Sequence, residues 1–312
     1  MSRLRAYAQL VRLPNVFTAV ADIALGALAA GAVPARWLAF LVLALTSACL
    51  YSAGMVWNDY FDVEQDKKER PFRPLPSGRI SPGEAIRFGI ALFASGLLLA
   101  LGTGLLLSQW RESEDGRNLM WTPFVLSTLL IAAILLYDGW LKRTAAGPIG
   151  MGTCRFLNVL LGLSIAGSIA GWRNMHLAAI VGIYIVGVTW FARTEARMSN
   201  QRMLSTAACI MLAGLLLALP LPLELDSNKG PNAGTFVFPY LLLALGFLVG
   251  VPVCYAILNP TPPQVQAAVK RAIMGLVVLD AVLSLPFAGL WGLLILVLLV
   301  PALYLGRWIY ST

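Results

Sequence analysis

Long apolar runs follow one another along almost the whole chain, and short polar segments separate them. Each run is about twenty residues long and apolar on all sides, which is typical of an α-helix that crosses a lipid bilayer. A transmembrane β-strand would alternate apolar and polar residues, and these runs do not. The pattern predicts ten membrane-spanning helices, near residues 16–33, 37–57, 84–107, 123–141, 150–170, 175–193, 203–221, 236–257, 268–288 and 290–308.

The two ends of the chain leave alternatives open. The first run follows basic residues, as the apolar part of a cleaved secretory signal does. Asp22 interrupts that run and the next one begins almost at once at Trp37, which favours a retained first span. Near the C-terminus only Pro286 and Gly289 separate the last two runs. If those two runs form one broken segment, the C-terminus changes sides.

Composition and charge support this interpretation. The chain is 59% apolar, only 12% charged, and has a mean hydropathy of +0.77. Soluble domains are about one quarter charged, so a soluble enzyme is excluded. The net charge is +8, but the basic residues lie between the apolar runs and form no patch interleaved with aromatic residues, so no nucleic-acid partner is expected.

The distribution of basic residues predicts an orientation. With the N-terminus inside and the helices alternating, 18 basic residues fall on the inner side and 5 on the outer side, which together make the 23 of the chain. Lysine and arginine accumulate on the cytoplasmic side of membrane proteins. We therefore expect a multi-pass protein of the inner or plasma membrane, with its N-terminus and the loop 58–83 in the cytoplasm.

The loop 58–83 carries a regular set of oxygen-bearing side chains. Asn58, Asp62 and Asp66 recur every four residues, which places them along one face of a helix. Like charges spaced in this way repel one another, so the arrangement indicates that something positive binds there. Oxygen ligands without histidine or thiolate point to Mg²⁺, which is often held by one or two carboxylates together with substrate phosphates.

A cluster of basic residues follows directly, namely Lys67, Lys68, Arg70, Arg73 and Arg79. The planar fork of arginine matches two phosphate oxygens at once. Carboxylates for a divalent cation beside arginines for a polyanion indicate a diphosphate site. Because this site is expected at the membrane surface, the rest of the ligand should be lipidic.

These residues carry a resemblance to a known family. The ladder Asn58-x-x-x-Asp62-x-x-x-Asp66, followed by Arg-Pro-Phe-Arg-Pro-Leu-Pro-Ser-Gly-Arg-Ile-Ser at 70–81, resembles the first aspartate-rich motif of the UbiA superfamily of membrane prenyltransferases. Three further stretches are similar to the same family, namely residues 11–17, 137–143 and 150–162. The resemblance covers residues 10 to about 290, so the last helix is a candidate addition to the family pattern.

The resemblance implies a single integral-membrane domain over residues 1–312, built as an all-α bundle of nine to ten transmembrane helices around a central cavity. It also implies a prenyl diphosphate donor held through Mg²⁺ and an aromatic or other lipophilic acceptor; it does not give the oligomeric state. Carried over to this chain, it implies that Asn58, Asp62 and Asp66 bind the metal and act in catalysis. Substrate-binding roles fall on Arg12, Arg73 and Lys142.

The chain departs from the family pattern after the sixth span. The family normally has a second motif of the form Asp-x-x-x-Asp there, whereas residues 191–202 contain one carboxylate, Glu195, which we take as the remaining catalytic candidate. Arg193 and Arg197 flank it, so an arginine could neutralise the diphosphate in place of a second metal ion. The alternative is that the second metal site is lost, and catalysis with it. The stretch 193–197 resembles the UbiA-like branch called EboC.

Among the polar residues inside predicted spans, four are candidates for the interior of the bundle. Arg155 and Asn158 share one face of the fifth span, which points them into the same polar cavity and makes them substrate-binding candidates. Asp22 and Asp280 should also face the bundle interior, because a charge within the bilayer is costly. A hydrogen bond between helices, with one acid protonated, and a role in substrate binding both explain them.

Two functions from different classes follow from these observations. The first is a Mg²⁺-dependent membrane prenyltransferase. The second is a non-catalytic membrane protein that binds prenyl diphosphate or lipid, or assists transport, with a degenerate second motif. Turnover of a prenyl diphosphate separates the two.

Overall fold

The computed structural model describes residues 3–109, 120–166, 169–195, 198–224 and 230–309. Within these ranges the chain is helical and contains no β-strand, which confirms the expected fold class. The α-helices are α1 (Arg3–Leu10), α2 (Leu13–Ala29), α3 (Trp37–Phe61), α4 (Val63–Glu69), α5 (Pro82–Ser108), α6 (Thr122–Gly139), α7 (Gly147–Leu163), α8 (Trp172–Ala192), α9 (Gln201–Leu217), α10 (Ala233–Leu258), α11 (Pro262–Ala288) and α12 (Leu299–Gly306). Short 3₁₀ segments cover Leu141–Arg143, Ser164–Ala166, Leu221–Glu224 and Gly289–Leu298.

The number of membrane-capable segments agrees with the sequence pattern. Eight helical segments of the described residues are long and apolar enough to cross a bilayer, and α1 and α2, bent by 44° at their junction, form a ninth as a pair. The last of the eight, Pro262–Gly306, reverses direction at Gly289. Two contacts show the reversal: Gly292 packs against Ser284, and Gly306 lies beside Pro14. This return gives the tenth apolar segment and brings residue 308 next to Arg5, at the end of the bundle where the chain begins.

Several helices begin at residues that the sequence marks as helix starts. Ser81 and Glu84 form a reciprocal capping box at the start of α5, with Pro82 in the first turn. Asn200 and Asn232 accept backbone N–H groups at the starts of α9 and α10. These caps satisfy amide groups that a helix start otherwise leaves without partners.

Helix α2 lies in the interior of the bundle, where it contacts α3, α7, α11 and α12. Its residue Ile23 is fully buried. The closest approach is to α7: a Cβ atom on Gly26 would lie 2.5 Å from the backbone nitrogen of Leu163, and one on Gly162 would lie 2.7 Å from the carbonyl oxygen of Ile23. Glycine therefore sets the spacing of these two helices. The central position of α2 shows that the first apolar run is part of the folded bundle.

The segment 70–81 folds against the bundle at the end that carries Asp62, called here the site end. Leu75 and Ile80 are buried in an apolar cluster with Leu10, Val56 and neighbouring residues of α1, α3 and α5. Gly78 has a φ of 72°, a left-handed conformation that glycine adopts without steric cost, and it closes the turn. The loop is therefore anchored by apolar contacts, and this anchoring fixes the position of Arg73.

We expect the substitution Gly26→Ala to destabilise the protein by about 1–3 kcal/mol, because its methyl group would meet backbone atoms that cannot move aside. Thermal unfolding of the detergent-solubilised protein measures the change. The matched control is Gly246→Ala on α10, where a Cβ atom would meet nothing within 4 Å. A Gly26→Ala variant as stable as this control would contradict the close packing of α2 on α7.

Candidate functional site

The three residues of the aspartate ladder lie at the junction of α3 and α4. The sequence predicts one continuous helical face, and here the structure differs: α3 ends at Phe61, and Asp62 has φ −98° and ψ 4° between the two helices. The helical register is kept, since the Asp62 amide donates to the Asn58 carbonyl at 3.1 Å and the Asp66 amide to the Asp62 carbonyl at 2.8 Å. The three side chains therefore follow one another around a bent helix end.

Asn58 and Asp62 contact residues at the end of α6. The side-chain amide of Asn58 donates to Asp138 Oδ1 at 2.7 Å, and Lys142 Nζ lies 2.7 Å from Asp62 Oδ2. Arg143 approaches Asp62 Oδ1 at 4.0 Å. The structure thus places Asn58, Asp62 and Lys142 together, as the sequence predicts.

Arg73 connects the third residue of the ladder to α3. Its guanidinium donates to Asp66 Oδ2 at 2.7 Å and to Asp59 Oδ1 at 3.3 Å, and all three side chains are buried. Arg12 donates to the same oxygen of Asp59 at 3.2 Å. Burial raises the pKa of Asp66 above its ordinary value, and the positive charge of Arg73 opposes that shift. Two arginines and two aspartates are therefore linked by hydrogen bonds into one network.

Arg12 reaches this network because of the backbone between α1 and α2. Its φ of 49° and ψ of 52° are left-handed, a conformation that is uncommon for a residue with a side chain. Such a residue costs about 1–3 kcal/mol and persists only where the surroundings hold it. Here the bend of 44° between the two helices and the contact with Asp59 accompany it.

The loop after α8 joins the site through a long-range ion pair. Glu195 Oε1 lies 3.6 Å from Arg70 Nη2. Burial raises the pKa of Glu195, and the charges of Arg70 and, further away, Arg12 oppose this. Arg193 donates to the carbonyl of Thr144 at 2.5 Å. Arg197 lies outside the described residues.

A cavity begins beside Asp138 and extends into the bundle. It contains about 490 Å³ of space not occupied by atoms, including its open side. Most of its wall is apolar, and its polar groups come from Ser47, Tyr51, Tyr137, Asp138, Arg155 and Asn158. The cavity therefore connects the acid–base network at the site end with the polar residues inside the bundle.

Arg155 and Asn158 lie on the cavity wall, as the sequence predicts, and both bind Asp22. Arg155 donates to Asp22 Oδ2 at 3.0 Å and to Thr18 Oγ1 at 2.8 Å, and its guanidinium lies 5.5 Å from the centre of the Tyr51 ring. Asn158 donates to the same Asp22 oxygen at 2.8 Å. The charge of Arg155 is thus balanced at a fixed place on the wall.

Sequence reasoning missed two acids of this site, Asp59 and Asp138. Asp59 lies seven residues before Asp66, two helical turns away on nearly the same face, and this spacing was available as a signal. Asp138 ends an apolar run and precedes Lys142 by four residues, which is the spacing of an ion pair on a helix. The four-residue ladder pointed to Asn58 instead.

The described residues contain no group of three or more acidic, histidine or cysteine side chains arranged to hold a metal ion. Most acids of the site are bound by a base, which keeps them from converging on one point. A ligand that contains both a cation and an anion could, however, separate these pairs: the carboxylates would bind its cation and the bases would bind its anion. An all-α integral membrane protein with such a site beside an interior cavity is the class that the fold and the geometry define.

The chain belongs to the UbiA prenyltransferase family, whose family model matches residues 19–269. This confirms the resemblance found in the motifs. The resemblance of residues 193–197 to the EboC branch stays a prediction.

Curated relatives similar to this chain are digeranylgeranylglyceryl phosphate synthases. That of Ignicoccus hospitalis is 41% identical over 33% of this chain and 33% of its own length. That of Saccharolobus solfataricus is 41% identical over 45% of this chain and 55% of its own length. For Methanopyrus kandleri the identity is 29% over 78% of this chain and 84% of the relative. The match thus spans about a third of the length of the Ignicoccus hospitalis relative and about half of the length of the Saccharolobus solfataricus relative.

Solved structures share the fold. One, described as a digeranylgeranylglyceryl phosphate synthase in membranes, has a TM-score of 0.60 at 20% identity and covers 92% of this chain and 99% of its own. A UbiA homologue from Archaeoglobus fulgidus bound to GPP and Mg²⁺ has a TM-score of 0.54 at 16% identity, covering 87% of this chain and 99% of its own. At these identities the likeness supports the fold.

We expect Arg73→Met to destabilise the protein by about 3 kcal/mol, because it leaves Asp66 buried without its counter-charge. Asp59 keeps its second partner, Arg12. Chemical or thermal unfolding in detergent measures the loss. Lys67→Ala serves as control: Lys67 also pairs with an acid, Glu64, but their side chains are 53% and 80% exposed, so the cost should stay below about 0.5 kcal/mol. Equal losses in the two variants would contradict the buried network.

Proposed function

We propose that the protein is a Mg²⁺-dependent membrane prenyltransferase that transfers a prenyl group from a prenyl diphosphate to a lipophilic acceptor. One observation carries the proposal: Asp59, Asp62 and Asp66 are each bound to a base, and this paired set lies at the mouth of a largely apolar cavity. A metal diphosphate offers a cation to the acids and an anion to the bases, and its prenyl chain suits the cavity.

The donor set fits Mg²⁺. Asn58, Asp62 and Asp66 offer only oxygen atoms as ligands, which is the ligand chemistry that Mg²⁺ prefers. These three residues would hold the ion, and a bound Mg²⁺ neutralises charge that develops on the leaving diphosphate. The Archaeoglobus fulgidus structure is described as bound to GPP and Mg²⁺, which supports Mg²⁺ as the ion.

The bases of the site have a second role when a diphosphate binds. Lys142, now 2.7 Å from Asp62, and Arg73, now 2.7 Å from Asp66, turn from the carboxylates to the phosphate oxygens. Arg12 and Arg193 add positive charge around the same end of the bundle. We assign the same role to Arg197, which lies outside the described residues. Hydrogen bonds from these donors stabilise the negative charge of the leaving group, and this promotes breakage of the bond between C1 and the diphosphate oxygen.

Glu195 helps to place the base that it binds. Its ion pair with Arg70 links the loop after α8 to the segment 70–81 and holds that guanidinium at the edge of the site. An arginine would then supply positive charge in place of a second metal ion.

The cavity binds the organic parts of both substrates. Its apolar wall holds the prenyl chain and excludes water from the carbon that reacts, and each buried CH₂ group contributes about 0.8 kcal/mol. Arg155 and Asn158 face the polar head of the acceptor from within the bundle. The names of the curated relatives favour a glycerophosphate-type lipid as this acceptor, ahead of an aromatic compound.

The proposal includes an orientation. Helix α1, the segment 70–81 and the residues after α6 and α8 meet at the site end, and each of them carries basic residues there. Lysine and arginine concentrate on the cytoplasmic side, so the site faces the cytoplasm of a cell whose plasma membrane holds the protein. In this proposal, residues 1–312 form a single domain.

We expect Asp62→Asn to lower Mg²⁺-dependent product formation by about 100-fold or more, because the variant loses a charged metal ligand. Membranes receive labelled prenyl diphosphates of several chain lengths, with either a glycerophosphate lipid or an aromatic acceptor, and mass spectrometry identifies lipid-soluble products. Glu64→Gln, two residues away and exposed, is the matched control and should retain activity.

Two outcomes would overturn the proposal. Unchanged turnover in Asp62→Asn would remove the assignment of the metal site. A wild-type protein that is stabilised by prenyl diphosphate but never releases diphosphate would instead be the non-catalytic binder.

The orientation is tested by labelling single cysteines with a membrane-impermeant maleimide, after the four native cysteines are replaced. Lys68→Cys, exposed at the site end, should react only in inverted membrane vesicles. Gly230→Cys, exposed at the opposite end, should react in intact cells. The reverse pattern would show that the site faces outward.

A further inference from the structure

Asp280 is a carboxyl group that the proposed reaction does not use. It lies in the middle of α11 and is fully buried. Neither of its oxygens has a hydrogen-bond partner among the described residues. A buried carboxylate without a donor is very costly, so its surroundings must explain its presence.

Asp280 interacts with a second acid, Asp22, across the contact between α11 and α2. Asp280 lies within hydrogen-bonding reach of Asp22 on α2, whose Oδ2 already binds Arg155 and Asn158 and whose Oδ1 has no partner. The hydroxyl group of Tyr184, also close, donates to the carbonyl of Ala272 instead. The two carboxyl groups can therefore satisfy one another only through a proton that lies between them.

Charge balance places that proton. Arg155 is the cation of this cluster, and it forms its ion pair with Asp22 at 3.0 Å. One guanidinium neutralises one carboxylate, and a second buried negative charge would have no counter-charge. Asp22 therefore keeps its charge and Asp280 holds the proton.

We propose that Asp280 is a neutral carboxylic acid whose hydroxyl group donates to Asp22 Oδ1, and that it acts as a positioning residue for Arg155. The bond fixes the Asp22 carboxylate from α11, and Asp22 in turn fixes the guanidinium of Arg155 on the cavity wall beside Tyr51. Three helices, α2, α7 and α11, thereby determine where the guanidinium of Arg155 lies on the cavity wall.

The consequence for substrate binding rests on the proposed function. Because Asp280 carries no charge, the cluster of Arg155, Asp22 and Asp280 is neutral as a whole, with the guanidinium on the side of the cavity. Such a surface attracts a polar or anionic acceptor head. With Asp280 ionised the cluster would be negative and would repel that head.

The protonation of Asp280 is measured without any substrate. The infrared spectrum of the full-length protein at neutral pH should contain the carbonyl stretch of a protonated carboxylic acid, which shifts in D₂O. The difference spectrum between wild type and Asp280→Asn isolates this band. A difference spectrum without it would overturn the proposal, whether or not the protein is an enzyme.

The positioning role is measured by kinetics with two variants. Asp280→Asn keeps an N–H donor toward Asp22 and should hold both KM values within about twofold of wild type. Asp280→Leu has no donor, and its KM for the acceptor should rise about tenfold while the KM for prenyl diphosphate stays unchanged, as for the loss of a buried hydrogen bond to a charged group. Ser284→Ala, one turn along α11, is the control, because its hydroxyl group bonds only within the helix.

The outcomes are distinguishable. A merely structural acid would change the thermal stability or kcat without separating the two KM values, and this result would remove the positioning role. A poorly folding Leu variant is replaced by Asp280→Val, judged by the same ratio of KM values. If the wild type transfers no prenyl group, the proposed function fails, and the infrared band alone decides the state of Asp280.

Discussion

The structure depends on the neutralisation of charge inside an apolar bundle. Charges removed from water are costly unless they are paired, and a membrane protein has little water with which to solvate them. The constraint is met by a network of acids and bases at the site end and by Asp22 and Arg155 in the interior. The cavity lies between these two groups. Both functional ends of the proposed site are therefore sets of paired charges.

Pairing of this kind prepares a site to bind a ligand. Arg73 and Lys142 lie within hydrogen-bonding distance of acids. Under the proposed function, this pairing holds them close to the positions at which phosphate oxygens would bind. A metal diphosphate exchanges these partners without leaving a buried charge alone. The same exchange explains why the acids do not converge on one point: in this state their counter-charges come from side chains.

Family membership and local geometry contribute different information. The match to the UbiA prenyltransferase family and the shared fold establish the architecture. The proposed roles of individual residues depend on the geometry of the site. The departure at Glu195 is informative because its partner, Arg70, lies in the first motif. The two motifs are thus joined by a side-chain contact as well as by the fold.

The sequence by itself determined the all-helical membrane fold and the four-residue spacing of Asn58, Asp62 and Asp66, because helical periodicity and hydropathy are local properties. Only the tertiary structure decided which base meets which acid. Asp59 and Asp138 were missed because their partners come from other helices, brought close by the packing of the bundle. The pairing of buried charges depends on distances between segments far apart along the chain, and no local pattern records those distances.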